Sequence, residues 1–217
     1  MSIMPLPELP PQAEGIRLSV LDAYTGQPGS PLGVGFWPRV AARVIDFIVH
    51  YFVALCSGLL LGLLVAIAAR LQHRPLSAFF GRQSPNGIAV FVLALLGSIV
   101  FEAICEGFHG STPGKRLLGF TVVQEDGSPC RPGSAFIRSF AYVIDSLFFG
   151  LIGYFNMQKT PQQQRHGDVL AHTVVCRRSD VAPENLRGAG QFVAAFLFAA
   201  MADAALMISG QLLRIIA

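Results

Sequence analysis

The sequence has few charged residues for its length. Asp, Glu, Lys and Arg make up 13% of the 217 residues, whereas hydrophobic residues make up 53% and the mean hydropathy is +0.54. A soluble domain of this size needs more charge to cover its surface. The composition therefore excludes an ordinary soluble protein and predicts an integral membrane protein.

Residues 1–35 lack the features of a cleaved secretory signal. They are rich in Pro and Gly, and they contain no basic stretch followed by a short apolar core. We expect this segment, which has a possible short strand, to remain in the cytoplasm.

The cysteines and the basic residues lack the patterns of two other classes of protein. The four cysteines have no CxxC spacing, which predicts small buried hydrophobes and no redox centre. The basic residues lie at the edges of apolar runs without interleaved aromatic residues. This arrangement favours membrane lipids over nucleic acid as partners. We expect no cofactor.

Four apolar runs are present, at 44–69, 87–108, 140–157 and 192–216. The third run is short for a membrane span. If all four cross, the basic residues divide equally between the two sides. If the third run enters and leaves from the same face, most basic residues lie on the side of the N-terminus, which the positive-inside rule makes the cytoplasmic side. We therefore favour a re-entrant or tilted third element.

The predicted fold is an all-α integral membrane bundle of three to four transmembrane helices with a small cytoplasmic β element. The two "TVV" stretches, at 121–123 and 173–175, read as strands that could pair. The expected division is a cytoplasmic segment at 1–35, a membrane domain at 36–178, a linker at 179–188 and an additional Ala-rich transmembrane helix at 189–217. The small residues of that last helix permit close packing.

Two apolar runs begin with the same arrangement of charge. "RVAARVID" runs from Arg39 to Asp46, and "RSFAYVID" runs from Arg138 to Asp145. Seven residues make nearly two helical turns, so each Arg and Asp share one face, about 10 Å apart. With "GSP" at both 29–31 and 127–129, the repeat predicts an internal duplication of strand, turn and charged helix.

The repeat also predicts where these charges go. Each Arg is expected to reach lipid phosphates, while each Asp lies deeper in the apolar zone. An ionised Asp near the centre of a bilayer costs about 3 kcal/mol, so it should not face lipid. We expect Asp46 and Asp145 to turn toward the Arg of the neighbouring helix or toward Arg43.

Further acidic residues lie within the apolar runs. Glu102 and Glu106 share one face of the second run, and two carboxylates so close in low dielectric predict that one keeps a proton. Glu102, Asp46 and Asp145 are candidates for ion or proton transport, or for structural ion pairs. Asp203, in the last run, is either functional or hydrogen-bonded to a neighbouring helix.

Two polar motifs lie between the runs. "GSTPGK" is one residue too short for a Walker loop, and we expect Lys115 and Arg116 to hold lipid phosphates. In "RHGDVLAH", His166, Asp168 and His172 offer too few ligands for a metal. Asp168 is expected to accept hydrogen bonds from backbone amides or Arg165, which would tie a surface segment to the helices.

Four motifs in order carry a resemblance to a known family. "RVAARVID", "GSTPGKRLLGFTVV", "FIRSFAYVID" and "QQQRHGDVLAHTVV" resemble the RDD family of small bacterial membrane proteins over about residues 35–178. The resemblance implies an inner-membrane location and a compact helical fold. Some members are similar to cation/proton antiporters in activity. Two departures are His172, where the family usually has Gly, and the Ala-rich last helix, which lies outside the family core.

Two classes of function remain open. The first is a transport-related protein whose buried carboxylates bind a proton, a cation or a small solute, as a homo-oligomer because so few helices enclose little volume. The second is an accessory or scaffold subunit that docks a larger membrane complex through its C-terminal helix. No nucleophile with an adjacent base is evident, so we do not expect an enzyme.

Overall fold

The computed structural model describes residues 31–76, 87–145 and 150–216. Within these ranges the chain forms seven α-helices and two strands. They are α1 (Phe36–Leu71), α2 (Gly87–His109), α3 (Pro113–Leu117), β1 (Phe120–Gln124), α4 (Pro132–Asp145), α5 (Leu151–Met157), α6 (His166–Leu170), β2 (Thr173–Arg177) and α7 (Ala189–Ile216).

Three segments are long and apolar enough to cross a membrane. They are Phe36–Leu71, Val92–His109 and Pro183–Leu206, which match the first, second and fourth apolar runs. At 1.5 Å per residue α1 is about 54 Å long, so it extends beyond a hydrocarbon core of about 30 Å. Helix α2 is central, because it packs against α7 and α4. Both α3 and α7 also pack against α1.

The third apolar run forms two helices, α4 and α5, which pack against each other. Gly150, directly before α5, adopts a left-handed conformation with φ 84°. This arrangement differs from a single long span, and residues 146–149 lie outside the described residues. Whether the run is re-entrant in a membrane stays a prediction.

The two predicted strands pair as an antiparallel sheet, which confirms the predicted β element. Val122 faces Val175 and Val123 faces Val174 in the register of the pair. All four side chains are buried, because one side of the sheet packs on the starts of α1 and α4 while the other packs on the segment after β2. The strand expected before residue 29 lies outside the described residues.

The backbone at His172 explains why Gly is favoured at this position. His172 follows the end of α6 and has φ 52°, while Gly119 follows the end of α3 and has φ 74°. Both residues therefore occupy the left-handed position at which helices commonly end, and this position favours Gly. The His172 side chain is 80% exposed and lies 3.4 Å from Glu125 Oε2, so packing does not require a His.

Replacing His172 by Gly should stabilise the protein. Relief of the left-handed backbone strain is expected to raise the free energy of unfolding by about 0.5–1 kcal/mol. Thermal unfolding of the purified protein in detergent measures the change. Gly119→Ala is the matched control, since a Cβ there meets nothing within 4 Å, and it should destabilise through the backbone alone. Lower stability of His172→Gly would contradict this explanation.

Candidate functional site

Ten charged side chains gather where α1, α2 and α4 meet α3 and α6. Five are basic and five are acidic, and we call this group the charged cluster. Its members are Arg39, Arg43, Lys115, Arg138, Arg165, Asp46, Glu102, Glu106, Asp145 and Asp168.

Asp168 is the centre of the cluster. It is fully buried, forms an ion pair with Arg39, lies 3.2 Å from Arg138 Nη2 and lies 3.9 Å from Arg165 Nη2. Its Oδ2 also accepts a hydrogen bond of 3.1 Å from the backbone amide of Arg165. Burial alone would raise the pKa of Asp168, but the charges of Arg138 and Arg39 outweigh this effect and hold the pKa below its usual range. The expected hydrogen bond from a backbone amide and the expected contact with Arg165 are confirmed, whereas the contacts of Asp168 with Arg39 and Arg138 were not predicted.

The two repeated arginines also turn inward, which corrects the expectation that they reach lipid phosphates. Arg39 is 7% exposed and Arg138 is 2% exposed. Arg39 Nε donates to the carbonyl oxygen of Val34 at 2.8 Å, and its Nη2 donates to that of Gln163 at 2.8 Å. A buried guanidinium needs such partners because its desolvation is costly.

Glu106 contacts two cations, one from α3 and one from α4. It forms an ion pair with Lys115, and its Oε2 lies 3.3 Å from Arg138 Nε. The expectation that Lys115 holds a lipid phosphate is therefore wrong, because Lys115 is buried against Glu106. Burial lowers the pKa of Lys115, although Glu106 opposes the change. Arg116 is half-buried, and its lipid contact stays a prediction.

Glu102 has its own cation. It forms an ion pair with Arg43, whose guanidinium carbon lies 3.8 Å from the centroid of the Tyr142 ring. This distance places the cation on the face of the ring. Since Glu102 and Glu106 are neutralised by different cations, the reason for expecting one of them to keep a proton does not hold.

The repeated aspartates bind backbone amides, not arginines. Asp46 accepts hydrogen bonds of 2.6 Å from Thr112 Oγ1 and 2.6 Å from the amide of Gly114. Asp145 Oδ2 accepts a hydrogen bond of 3.2 Å from the amide of Gly167. The expected pairing of each Asp with an Arg of the neighbouring helix is therefore wrong. Each Asp instead holds the first turn of a short helix, α3 or α6, where amides point outward without helical partners.

Two glycines allow this contact, and the sequence interpretation missed both. A Cβ on Gly114 would lie 2.0 Å from the Ala42 carbonyl oxygen, and one on Gly167 would lie 2.9 Å from the Ala141 Cβ. Ala42 and Ala141 occupy equivalent positions in the repeated helices. The available signal was that both "TPGK" and "RHGD" place Gly at the start of a short helix that precedes a strand.

A cavity of about 820 Å³ lies between α1, α2, α4 and α5. One part of its wall is apolar, from residues such as Val40, Val44 and Met157. The rest includes acidic and basic side chains. These are Arg39, Arg43, Asp46, His50, Glu102, Lys115, Asp145 and Arg165. The charged cluster therefore forms part of this cavity, which is partly open, because lining residues such as Val44 and Phe47 are exposed. It is large enough for a small molecule, and we call it the chamber.

Asp203 lies outside the cluster, in the contact between α7 and α1. It is fully buried, and its Oδ2 lies 3.6 Å from Nδ1 of His50. Neither carboxyl oxygen has a hydrogen-bond partner among the described residues. The part of the chain that the structure describes places no Arg or Lys within salt-bridge distance of this group.

The apolar spans and the inward-facing charges define a membrane protein. The chain belongs to the RDD family, whose family model matches residues 34–172, more than half of the sequence. The match confirms the resemblance carried by the four motifs, and it ends before α7. Searches of curated proteins and of solved structures return no match.

Proposed function

We propose that this protein binds a small polar solute in the cavity and takes part in its transport across the bacterial inner membrane. The observation that carries the proposal is a chamber between the helices whose wall holds charged side chains of both signs. Charged groups within a membrane protein are costly and are commonly found where polar substrates pass.

The charge balance of the cluster favours one kind of solute. Its five cations and five carboxylates compensate one another, so a bare cation would leave an excess charge in a low-dielectric chamber. A zwitterion or an uncharged polar molecule adds no net charge. Such a solute can separate Arg43 from Glu102 and bind each of them with its own opposite charge or polar group. This pair is the most accessible one in the wall, because Arg43 is 29% exposed.

Orientation and assembly are part of the proposal. We place the sheet and the N-terminus in the cytoplasm, because Arg116, Arg131, Arg177 and Arg178 lie in or beside the segments that form the sheet. With only three spanning segments described, we expect a homo-oligomer to enclose a complete pathway.

A double substitution separates binding from stability. Arg43→Gln or Glu102→Gln alone leaves one unpaired charge and should cost about 1–3 kcal/mol, less than a fully buried pair because Arg43 is 29% exposed. The double variant removes both charges and should recover most of this stability. We nevertheless expect it to lose uptake into proteoliposomes, measured with alanine, a neutral sugar and sodium ions as probes.

Asp180→Asn is the control for the loss of a carboxylate, since Asp180 is exposed and its side chain contacts Ser179. It should leave uptake unchanged. Uptake that is unchanged in the stable double variant would contradict the proposed site.

The alternative is an accessory subunit. It is favoured because the charges of the cluster are already paired with one another, and because the outer face of α7 is apolar and exposed. That face exposes Val193, Leu197, Phe198 and Met201. If the wild-type protein moves none of the probes and copurifies with a stoichiometric membrane partner from mild detergent, the accessory role is the better account.

A further inference from the structure

The contact between α1 and α7 contains a buried acid, Asp203, that is not part of the charged cluster. Asp203 is 0% exposed, and both of its carboxyl oxygens lack a hydrogen-bond partner among the described residues. Ala199, one helical turn before Asp203, belongs to an apolar cluster with Phe101 and Cys105, and the Phe101 ring packs against the ring of His50. An ionised carboxylate without a hydrogen bond in such surroundings is far more costly than the neutral acid.

Among the described residues, His50 is the one titratable group placed to exchange a proton with this acid. Its Nδ1 lies 3.6 Å from Asp203 Oδ2, which is just beyond hydrogen-bond length. The His50 ring also lines the cavity, and its side chain is 15% exposed. His50 therefore connects the buried acid with the chamber.

The other charged or titratable groups near this contact are already engaged. They are Arg43 and Asp46 on α1, and Glu102, Cys105 and Glu106 on α2. Arg43 forms an ion pair with Glu102, and Lys115 forms one with Glu106. Asp46 accepts hydrogen bonds from Thr112 and Gly114. The Cys105 thiol is fully buried. In the part of α7 whose side chains are described, Asp203 is the only acidic or basic residue.

We propose that Asp203 is a proton-binding site that exchanges its proton with the cavity through His50. In the resting form the proton is bonded to a carboxyl oxygen of Asp203, and His50 is neutral. In the exchange step the O–H bond breaks as an N–H bond forms at Nδ1, which gives a carboxylate and an imidazolium. Rotation of the ring then turns this N–H toward the cavity, where Nδ1 gives the proton to water. The reverse steps return a proton from the cavity to Asp203, so that charge and protons balance.

This inference deepens the proposed function, because it places a proton beside the solute chamber, although proton binding is measured without any solute. Infrared spectroscopy of the purified protein detects the carbonyl stretch of a protonated carboxyl group. We expect this band in the wild type at neutral pH and its loss in Asp203→Asn, while Asp180→Asn retains it. In the wild type, ¹³C labelling of the aspartate carboxyl groups should shift the same band, which tests the assignment without a mutation.

The exchange route has its own test. After transfer into deuterated water, the band should shift at least about ten-fold more slowly in His50→Leu than in the wild type. A band that survives in folded Asp203→Asn, or that does not respond to ¹³C-aspartate, overturns the proton site. An unchanged exchange rate in His50→Leu overturns the route. If the wild-type protein shows the band but takes up none of the solutes, the proposed function alone is refuted.

Discussion

Replacing Asp168 by Asn is expected to remove most of the protein's stability. The substitution keeps the size of the side chain but leaves Arg39 and Arg138 buried without the carboxylate that both contact. Removing one partner of a buried ion pair typically costs about 3–5 kcal/mol, because the remaining charge stays desolvated. Chemical denaturation in detergent, followed by the helical signal, measures the loss.

The exposed residue Asp180 provides a matched control for this experiment. Asp180→Asn changes the same group on the protein surface and should alter the stability by less than about 0.5 kcal/mol. If Asp168→Asn is as stable as this control, Asp168 does not neutralise the two arginines, and the geometry of the cluster is wrong.

Replacing Gly114 by Ala is expected to have an effect of similar size. The added Cβ would lie 2.0 Å from the carbonyl oxygen of Ala42 and 2.9 Å from its carbonyl carbon. Backbone atoms cannot move aside as a flexible side chain can, so α3 must separate from α1. The hydrogen bonds from Thr112 and Gly114 to Asp46 would then be lost. We expect a loss of at least about 3 kcal/mol in the free energy of unfolding.

Gly133→Ala is the matched control for the added methyl group. Gly133 lies in the first turn of α4, and a Cβ there meets nothing within 4 Å. This variant should be neutral or slightly stabilised, because Ala restricts the unfolded chain. Equal stability of the two variants would show that α3 does not pack tightly on α1.

Local patterns predicted the parts of the fold that depend on neighbouring residues. The apolar runs located α1, α2 and α7, because crossing a membrane requires a long apolar helix. The β-branched "TVV" stretches located both strands of the sheet. The third run is short for a membrane span, and the structure has two helices there, α4 and α5.

The contacts of the charged residues were harder to predict, because they join distant parts of the chain. Asp46 contacts Gly114, 68 residues away, and Arg39 contacts Asp168, 129 residues away. A polar stretch such as "QQQRHGD" ordinarily indicates a surface loop, yet here it folds inward and delivers Asp168 to the arginines. The equal spacing of Arg and Asp suggested that they pair with each other. In the structure, the arginines instead contact Asp168 and Glu106, and the aspartates accept hydrogen bonds from backbone amides.

The central claim is that the arginine at the start of α1 is neutralised inside the protein and not by lipid. A double-mutant cycle with Arg39→Gln, Asp168→Asn and the double variant tests this claim most directly. If the two side chains interact as the structure shows, the double variant should lose less stability than the sum of the single losses, by at least about 1 kcal/mol. Additive losses would show that Arg39 and Asp168 act independently and would contradict the account.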